Sequence, residues 1–406
     1  MNDRRTAEVI VVGLGAMGAA ALYQLAKRGI SAIGIDRFAP PHNQGSSHGE
    51  TRITRLGVGE GEEYGALVKR SHEIWRELEA DTGEDLLVIC GALILGPASG
   101  ETPHHGKDDF VRRSRDSALA HEVVHEMLAA DEIARRYPQF SLQGDEIGYF
   151  EPGGGLVYPE RCIAAQLSLA ERLGARIVTG ERVIGVKDLG AGVCVTTDKD
   201  RYQARLVIMS AGAWTPGLAG PALAKLAIQP QTLHWFETDH PSAYRADQFP
   251  VFIWMHGSSA DDMFYGFPIA PGASTQGLKA ARESFFAITD PDAFDRNVPL
   301  AQAERVWSDH IQGRLRGVGP RVLKSAACLY TTAPDADFVI DFKPGSPRVL
   351  LASACSGHGF KHSAAVGELL ARVAGNGDAR AIPERFKLNR LAASPASTMP
   401  LPEIAR

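Results

Sequence analysis

A strand–turn–helix–strand unit near the start of the chain constrains the fold more than any other feature of the sequence. The residues Val9–Val12 are apolar and β-branched, which is typical of a buried parallel strand. Apolar residues then recur at helical spacing to residue 26, and a second strand over residues 30–35 ends in Asp36. Between the first strand and the helix stand three glycines with GxGxxG spacing: Gly13, Gly15 and Gly18. These elements predict a βαβ unit that opens a parallel sheet.

Each glycine of this turn has a physical role in holding a dinucleotide. Gly13 permits the tight turn, Gly15 lets the backbone approach a pyrophosphate, and Gly18 lets the helix pack closely on the strand. The helix N-terminus then faces the phosphates, and Asp36 is placed to accept hydrogen bonds from a ribose. The unit therefore predicts dinucleotide binding, but it does not distinguish NAD from FAD.

The segment after Asp36 favours the larger of these cofactors. Residues 38–55 are polar and contain glycine, whereas an NAD enzyme would more often continue into a crossover helix at this point. A loop here suits a long cofactor that lies extended across the domain. We therefore expect FAD, with an NAD-dependent dehydrogenase as the alternative.

Charge and hydropathy argue against two broad classes of protein. The 43 basic and 48 acidic residues give a net charge of −5, which argues against a nucleic-acid or polyanion-binding surface. The longest apolar run, residues 9–23, is shorter than the ~20 residues that a membrane-spanning helix needs. A signal peptide is a rival explanation of that run, but its cleavage would destroy the βαβ unit.

The cysteines indicate reduced thiols, so we expect a cytoplasmic protein. They form no CxxC pair and have no other metal-ligand spacing, which argues against a structural zinc site. The five cysteines are Cys90, Cys162, Cys194, Cys328 and Cys355.

Hydrophobic periodicity predicts the elements of the remaining chain. Helices are expected at residues 64–82, 129–137, 159–173, 301–315 and 360–374. Strands are expected at residues 86–95, as one strand or a hairpin, and at 175–178, 183–186, 192–197, 206–211, 231–237, 249–254, 263–268, 277–285 and 349–354. The strands between residues 226 and 285 follow one another without helices, which predicts an antiparallel sheet.

The predicted fold class is α/β, with a Rossmann-like FAD-binding domain interleaved with an α+β substrate domain built on the antiparallel sheet. The FAD-binding domain is expected to comprise residues 1–85, 152–222 and 325–388. The substrate domain is expected at residues 86–151 and 223–324. Residues 389–406 are rich in proline and serine and are expected to form an irregular tail.

Four further segments carry a family resemblance. They are residues 45–55 (GSSHGETRITR), 265–268 with 277–279 (YGFP and GLK), 327–331 (ACLYT) and 356–361 (SGHGFK). In this order, behind a dinucleotide fingerprint, they resemble the monomeric sarcosine oxidase and N-methyltryptophan oxidase family of flavoprotein amine oxidases. The resemblance extends over nearly the whole chain, and it implies FAD as the cofactor.

The resemblance also implies how FAD is held. Cys328 matches the cysteine that attaches the flavin through a thioether, although from the residues alone it is an ordinary cysteine. Cys355 is an alternative residue for flavin attachment only because of its proximity to the flavin loop. The remaining cofactor-binding residues that we expect are Gly13, Gly15, Gly18, Asp36, Arg37, Ser46, His48, Thr51, Val183, Gly212, Gly357, Gly359 and Lys361.

Catalytic and substrate-binding residues follow from the same resemblance. Lys279 matches a lysine near the reacting part of the flavin, where a fixed cation assists oxygen reduction. The other expected catalytic residues are Arg52, His358 and Tyr265. The expected substrate-binding residues are Arg55 and Lys361, as partners of a substrate carboxylate, and Tyr330.

The spacing of the two arginines leaves their relative orientation open. Arg52 and Arg55 are three residues apart, so they point to opposite faces of a strand but share one face of a turn or helix.

Three departures from the family pattern lie on the substrate side. Residues 265–279 form a longer segment than in sarcosine oxidases, Glu283 stands where those enzymes usually carry histidine, and Val58 stands where they usually carry tyrosine. These differences bear on the substrate and not on the cofactor.

The expected reaction is FAD-dependent oxidation of a secondary (N-methyl) amino acid to an imine. Hydrolysis would give formaldehyde and the primary amino acid, and oxygen would be reduced to hydrogen peroxide. An oxidase of a cyclic, pipecolate-like amino acid is the nearest alternative, and a non-catalytic FAD-binding subunit is another. We expect a monomer whose partners are the amino acid and oxygen, with no nucleic acid or membrane partner.

Overall fold

The computed structural model describes residues 5–393. Its strands are β1 Thr6–Val12, β2 Ala32–Asp36, β3 Arg52–Thr54, β4 Leu87–Ile89, β5 Ala92–Pro97, β6 Glu126–Ala129, β7 Glu146–Glu151, β8 Gly155–Val157, β9 Arg176–Thr179, β10 Val183–Asp188, β11 Val193–Thr197, β12 Arg201–Met209, β13 Ala227–Thr238, β14 Val251–Met255, β15 Met263–Phe267, β16 Leu278–Ala281, β17 Val318–Thr332, β18 Val339–Lys343 and β19 Ser346–Ser353. Its helices are α1 Ala16–Lys27, α2 Glu63–Thr82, α3 Phe110–Ala120, α4 Ala130–Arg136, α5 Pro159–Arg172, α6 Thr215–Ala219, α7 Leu300–Val306, α8 Ser363–Asn376 and α9 Asn389–Ala393. None of the helices in the described part of the chain is long and apolar enough to cross a membrane.

The first sheet confirms the predicted Rossmann-like unit. Its parallel strands lie in the order β9–β2–β1–β12–β19. Strand β1 lies at the centre of the sheet, where Val9 pairs with Ala32 of β2 on one edge and with Leu206 of β12 on the other. Its apolar residues are buried on both faces of the sheet, as is typical of a central parallel strand. Antiparallel strands β11 and β18 pair with β12 and β19, and β10 extends the β11 edge. The apolar run weighed as a signal peptide forms β1 and much of α1.

Helices α1, α2, α5 and α8 cover one face of this sheet and share one apolar core with it. Helix α8 crosses α1 at Gly367, where a Cβ would overlap Ala20. The opposite face carries a second apolar cluster that includes Ile10, Val207 and Leu351. The cofactor side of the sheet is therefore held between two cores.

The second sheet confirms the predicted antiparallel layer and extends it. Its strand order is β17–β13–β16–β15–β14–β5–β7–β6, and every pair is antiparallel except β14–β5. A small antiparallel sheet, β3–β8–β4, contains Arg52 as the first residue of β3.

Several element boundaries differ from the sequence predictions. The strand expected at residues 277–285 ends at Ala281, and the helix expected at 301–315 gives way to a π-helical turn at Trp307–Ile311. Residues 86–95 form two strands that belong to different sheets. Helix α3 and the first half of β17 lack clean apolar periodicity, so the sequence did not indicate them.

Two of the expected domain ranges do not match the elements of the structure. The boundary at residue 325 falls within β17, which is a strand of the second sheet. Residues 389–393 of the tail that was expected to be irregular form α9. Residues 394–406 lie outside the described part of the chain.

Candidate active site

A cavity of about 420 Å³ extends from the glycine turn after β1 to the face of β17 and the turn after β19. The cavity therefore lies at the carboxyl ends of the parallel strands, which is where α/β sheets commonly bind ligands. Eleven of the residues singled out in the sequence line it: Gly13, Gly15, Asp36, Arg37, Ser46, Arg52, Val183, Gly212, Tyr330, Gly357 and Gly359.

The end of the cavity at β1 and β2 fits a dinucleotide. Gly13 has a φ of +85°, and a Cβ there would lie 2.7 Å from the carbonyl oxygen of Ser210. Gly15 is the N-cap of α1 and brings no capping side chain, so the helix N-terminus opens toward the cavity. The Asp36 carboxylate accepts the backbone N–H groups of Leu14 at 2.7 Å and Phe38 at 2.8 Å, which fixes it at the cavity wall.

Five predicted cofactor residues lie outside the cavity wall: Gly18, His48, Thr51, Cys328 and Lys361. A Cβ at Gly18 would overlap the carbonyl of Gly13, so this glycine acts through packing. His48 is buried, and burial together with the nearby Arg52 lowers its pKa to about 4. The wall also contains Ser47, whose hydroxyl accepts the N–H of Ala16 at 3.2 Å and which sequence reasoning missed.

The two cysteines near the cavity differ in position. Cys328 is buried on β17, and Tyr330, two residues further along that strand, lines the cavity. Side chains two residues apart in a strand share a face, so Cys328 lies on the cavity side of β17. Cys355 lies in the wall itself. Burial raises the pKa of the Cys328 thiol, although Arg52 and Lys279 oppose the shift.

Lys279 is a buried lysine whose side-chain nitrogen is held by oxygen atoms of the 45–55 segment. Its Nζ donates to the carbonyl oxygens of Gly49 and Thr51, both at 2.7 Å, and to Thr51 Oγ1 at 3.1 Å. It also lies 4.2 Å from the centre of the Phe267 ring. Burial, and then the charge of Arg52, hold the pKa of Lys279 well below its ordinary value.

Arg52 and Arg55 point to different surroundings, as expected for residues of an extended segment. Arg52 begins β3, lines the cavity and donates to the carbonyl oxygen of Ser46 at 2.9 Å. Arg55 lies one residue beyond the end of β3 and is almost fully buried, with its guanidinium 5.1 Å from the Phe110 ring centre.

Arg55, Glu60 and Lys361 form a buried charged triad. Arg55 Nη2 lies 2.7 Å from Glu60 Oε2, and Lys361 Nζ lies 3.0 Å from Glu60 Oε1. Burial opposes the ionisation of Glu60, but Arg55 and Lys361 hold its pKa well below the ordinary value. Burial lowers the pKa of Lys361 to about 8, although Glu60 opposes that shift. The triad thus places two cations around one anion.

A second buried carboxylate, Glu283, lies close to the triad. His105 Nε2 is 2.8 Å from Glu283 Oε2, and the Tyr330 hydroxyl is 3.4 Å from Glu283 Oε1. A Cβ at Gly357, a residue of the cavity wall, would lie 3.2 Å from both Glu283 Oε1 and His105 Nε2. The carboxylate therefore lies next to the cavity. Burial works against its ionisation, but His105 and His104 lower the pKa of Glu283.

His358 and Tyr265 complete the set of expected catalytic residues. His358 stacks on Phe338, its Nε2 lies 3.0 Å from the carbonyl oxygen of Ala336, and burial and Lys361 hold its pKa well below the ordinary value. Its own carbonyl oxygen accepts Lys361 Nζ at 3.1 Å. Tyr265 is on β15, where burial raises the pKa of its phenol. His358 thus supports Lys361 through its backbone.

Besides Ser47, three residues of the site were not predicted from the sequence: Glu60, His104 and His105. The only local signal was the pair of adjacent histidines in the polar segment at residues 102–109. Val58, one of the departures, is fully buried in the apolar core, and its N–H donates to Ser117 Oγ at 3.1 Å.

The comparison with known families places this geometry in a class. The chain matches the family described as FAD dependent oxidoreductase over residues 8–373. It belongs to that family, and it is an FAD-dependent oxidoreductase of the amino acid and amine oxidase type. The cavity, the glycine turn and Asp36 are therefore the part of the fold that fits FAD.

Individual relatives are similar over most of their length. The chain is 35% identical to monomeric sarcosine oxidase of Bacillus sp. (strain B-0618), covering 94% of this chain and 96% of the relative. It is 32% identical to N-methyl-L-tryptophan oxidase of Yersinia pestis (strain Pestoides F), covering 90% of this chain and 94% of the relative. Among solved structures, NikD, an unusual amino acid oxidase essential for nikkomycin biosynthesis, superposes with a TM-score of 0.81 at 23% identity, covering 94% and 97% of the two chains. L-proline dehydrogenase from P. horikoshii superposes with a TM-score of 0.76 at 19% identity, covering 96% and 98%. These structures share the fold.

Proposed function

We propose that the protein oxidises a secondary amino acid, most directly an N-methyl amino acid, to an imine that hydrolyses to formaldehyde and the primary amino acid. Oxygen would be the electron acceptor and hydrogen peroxide the second product. The proposal is supported by the relatives, which act on N-methyl amino acids according to their names. FAD supplies the two-electron chemistry when bound, and the protein orients the substrate and sets the local charge.

The observation that carries the proposal is the pair of buried cations beside the cofactor cavity. Arg55 and Lys361 are 1% and 5% exposed, and both form an ion pair with Glu60. Because Arg55 and Lys361 share one carboxylate as their ion-pair partner, each keeps N–H donors that a second anion could use. We assign that place to the substrate carboxylate, which would share Arg55 and Lys361 with Glu60.

Other residues have proposed roles that follow from their positions. Tyr330 and Glu283 would line the substrate side of the cavity, whereas Arg52 and Lys279 would lie on the cofactor side. Lys279 would supply positive charge where oxygen reduction develops negative charge. His358 would position Lys361 through its carbonyl oxygen.

The attachment and assembly of the holoenzyme are also proposals. We propose that Cys328 carries the flavin covalently, because it lies on the cavity face of β17. We further propose that the protein is cytoplasmic, since its five cysteines are free thiols, and that it is a monomer, in line with the name of the relative monomeric sarcosine oxidase.

The test is a peroxide-coupled screen of the purified holoenzyme with N-methyl and cyclic amino acids, each paired with its methyl ester. The free acids should be oxidised with release of peroxide, and N-methyl acids should also release formaldehyde. The esters should be poor substrates because they lack the carboxylate. Peroxide from cyclic acids alone would replace the N-methyl proposal with the cyclic one, and equal rates for acids and esters would contradict the carboxylate site.

Two variants distinguish loss of carboxylate binding by Arg55 from loss of protein stability. Arg55→Ala should raise the KM for the acids by the equivalent of about 2–5 kcal/mol, but it also leaves Glu60 short of a partner. The double change Arg55→Ala with Glu60→Gln removes one cation and one anion together. If Arg55 binds the substrate carboxylate, both variants should lose affinity for the acid and neither should affect the ester.

A further inference from the structure

Residues 104–107 form a tight turn that places the His105 side chain beside Glu283 and next to Gly357 of the cavity wall. The backbone N–H and C=O groups of His104 and Lys107 exchange hydrogen bonds, both at 3.0 Å. The two central residues, His105 and Gly106, have φ values of +50° and +68°, which are typical of a type I′ turn. The turn projects His105 away from solvent, and its side chain is 4% exposed.

The surroundings of His105 define its tautomer. A carboxylate oxygen accepts, so the ring Nε2 of His105 donates the 2.8 Å hydrogen bond to Glu283 Oε2. In the neutral ring, Nδ1 is then an acceptor. That nitrogen is buried and has no hydrogen-bond partner among the described residues, and Glu60 Oε1 lies 3.9 Å from it.

We propose that His105 is the base that receives the proton of the substrate ammonium, with Glu283 as its positioning residue. This inference rests on the proposed function, because an amine must lose its ammonium proton before the neighbouring carbon can be oxidised. The N–H bond of the ammonium breaks, its electron pair stays on the amine nitrogen, and the proton forms a bond to His105 Nδ1. No oxidant or other reactant is consumed in this step.

The groups that face His105 from every side are consistent with this role. Glu283 and Glu60 place negative charge near its two ring nitrogens, where protonation would create positive charge. The stacked ring of His104, 4.1 Å away, is kept neutral by burial, which lowers its pKa to about 3. The ring of His358, 5.4 Å away, is also kept neutral because burial and Lys361 lower its pKa. The cations Arg55 and Lys361 both form ion pairs with Glu60, whose Oε1 lies 3.9 Å from His105 Nδ1.

The test measures anaerobic flavin reduction by a saturating N-methyl amino acid between pH 6 and pH 10 in wild type and in His105→Asn. Asparagine followed by glycine is the favoured pair for a type I′ turn, so the loop should keep its shape. At pH 7 the variant should reduce its flavin about 10²–10⁴-fold more slowly. Its rate should then rise about tenfold per pH unit toward pH ~10, where an alkyl ammonium loses its proton without help.

Two further variants control for indirect effects. Glu283→Gln should slow reduction at pH 7 in the same direction and to a smaller extent. His234→Asn removes another buried histidine, whose ring nitrogens are 2.9 Å from Ser325 Oγ and 3.0 Å from Thr232 Oγ1, and it should keep the wild-type pH profile. Flavin content and Tm of each variant show whether it is folded.

The outcomes separate the two proposals. A wild-type pH profile in His105→Asn, or a uniform loss with no recovery at high pH, would overturn the assignment of His105 as the base. Failure of every N-methyl and cyclic amino acid to reduce the wild-type flavin would instead overturn the proposed function. Recovery of His105→Asn at high pH, with His234→Asn unchanged, is the result that supports the inference.

Discussion

If Lys361 binds the substrate carboxylate as we propose, that binding should depend on pH. Below about pH 8 the lysine is protonated and contributes a cation to the triad with Arg55 and Glu60. As the pH rises through about 8 that cation is lost, so the affinity for a carboxylate should fall by up to about tenfold per pH unit.

A carboxylate without an amine isolates this effect from substrate ionisation. Propionate binding, followed by its perturbation of the flavin absorbance, should weaken between pH 7 and pH 9 in the wild type. Lys361→Arg keeps its charge throughout this range and should bind propionate without that pH dependence. A wild-type affinity that is constant over the range would contradict the role of Lys361.

Cys328 is tested by the fate of the flavin on denaturation. If the thioether forms there, acid-precipitated wild-type protein should stay yellow after washing, and Cys328→Ser should release its colour. Cys355→Ser is the matched control, since Cys355 also adjoins the cofactor cavity but should leave attachment intact. A colourless wild-type pellet would rule out the covalent link.

Lys279 should act on the reaction with oxygen more than on the oxidation of the amine. Its Nζ is held by Gly49 and Thr51, and Lys279→Met removes the charge while keeping a similar length. We expect flavin reoxidation by oxygen to slow by at least ~10²-fold, as on loss of an oxyanion-site donor, with a much smaller change in anaerobic reduction. Stopped-flow absorbance measures both steps, and equal impairment of the two would show a structural or substrate-binding role.

At the scale of elements, the crossing of α1 and α8 is the packing contact that supports the cofactor turn. At Gly367 an added Cβ would meet the backbone of α1, including Ala21 N at 2.7 Å. Gly367→Ala should therefore destabilise the fold by about 1–3 kcal/mol, despite the higher helix propensity of alanine. Urea denaturation measures the free energy of unfolding, and flavin retention reports on the turn after β1.

Gly375 provides the control in the same helix. A Cβ there meets only the end of the Ile30 side chain, at 3.0 Å. Gly375→Ala should change stability little or raise it by up to about 1 kcal/mol. Equal effects of the two substitutions would show that the α1–α8 contact does not limit stability.

The elements that the sequence predicted are those with local signals. The β1–α1–β2 unit combines a β-branched run, spaced glycines and helical periodicity, and α5 begins with Pro159 and carries an apolar stripe. Strand β17 was missed because its first half is polar and partly exposed, and it is held there by pairing with β13. Pairing of that kind is set by tertiary contacts that no short window of sequence contains.

The same limit applies to the site. Gly13, Gly15 and Asp36 could be placed at the cofactor cavity because their motif is contiguous. The contact between His105 and Glu283 joins residues on separate segments of the chain, so neither residue carries a local sign of it. The family resemblance indicated Arg55 and Lys361, but it did not indicate that Glu60 would hold them together.

At the scale of the whole molecule, the site lies where the two large sheets meet. The first sheet supplies the glycine turn and the wall that fits FAD, and β17 of the second sheet supplies Cys328 and Tyr330. The turn that carries His105 joins β5 of the second sheet to α3. The residues of the candidate site therefore come from both large sheets and from the segments that follow their strands.

The central claim, oxidation of a secondary amino acid by this flavoprotein, is tested most directly by anaerobic titration of the purified holoenzyme. One equivalent of an N-methyl amino acid that is a substrate should bleach the flavin fully, and admission of oxygen should restore the colour with one equivalent of hydrogen peroxide. The methyl ester of the same acid should bleach it far more slowly. A flavin that no secondary amino acid can bleach, or one that only a reduced nicotinamide bleaches, would contradict the account.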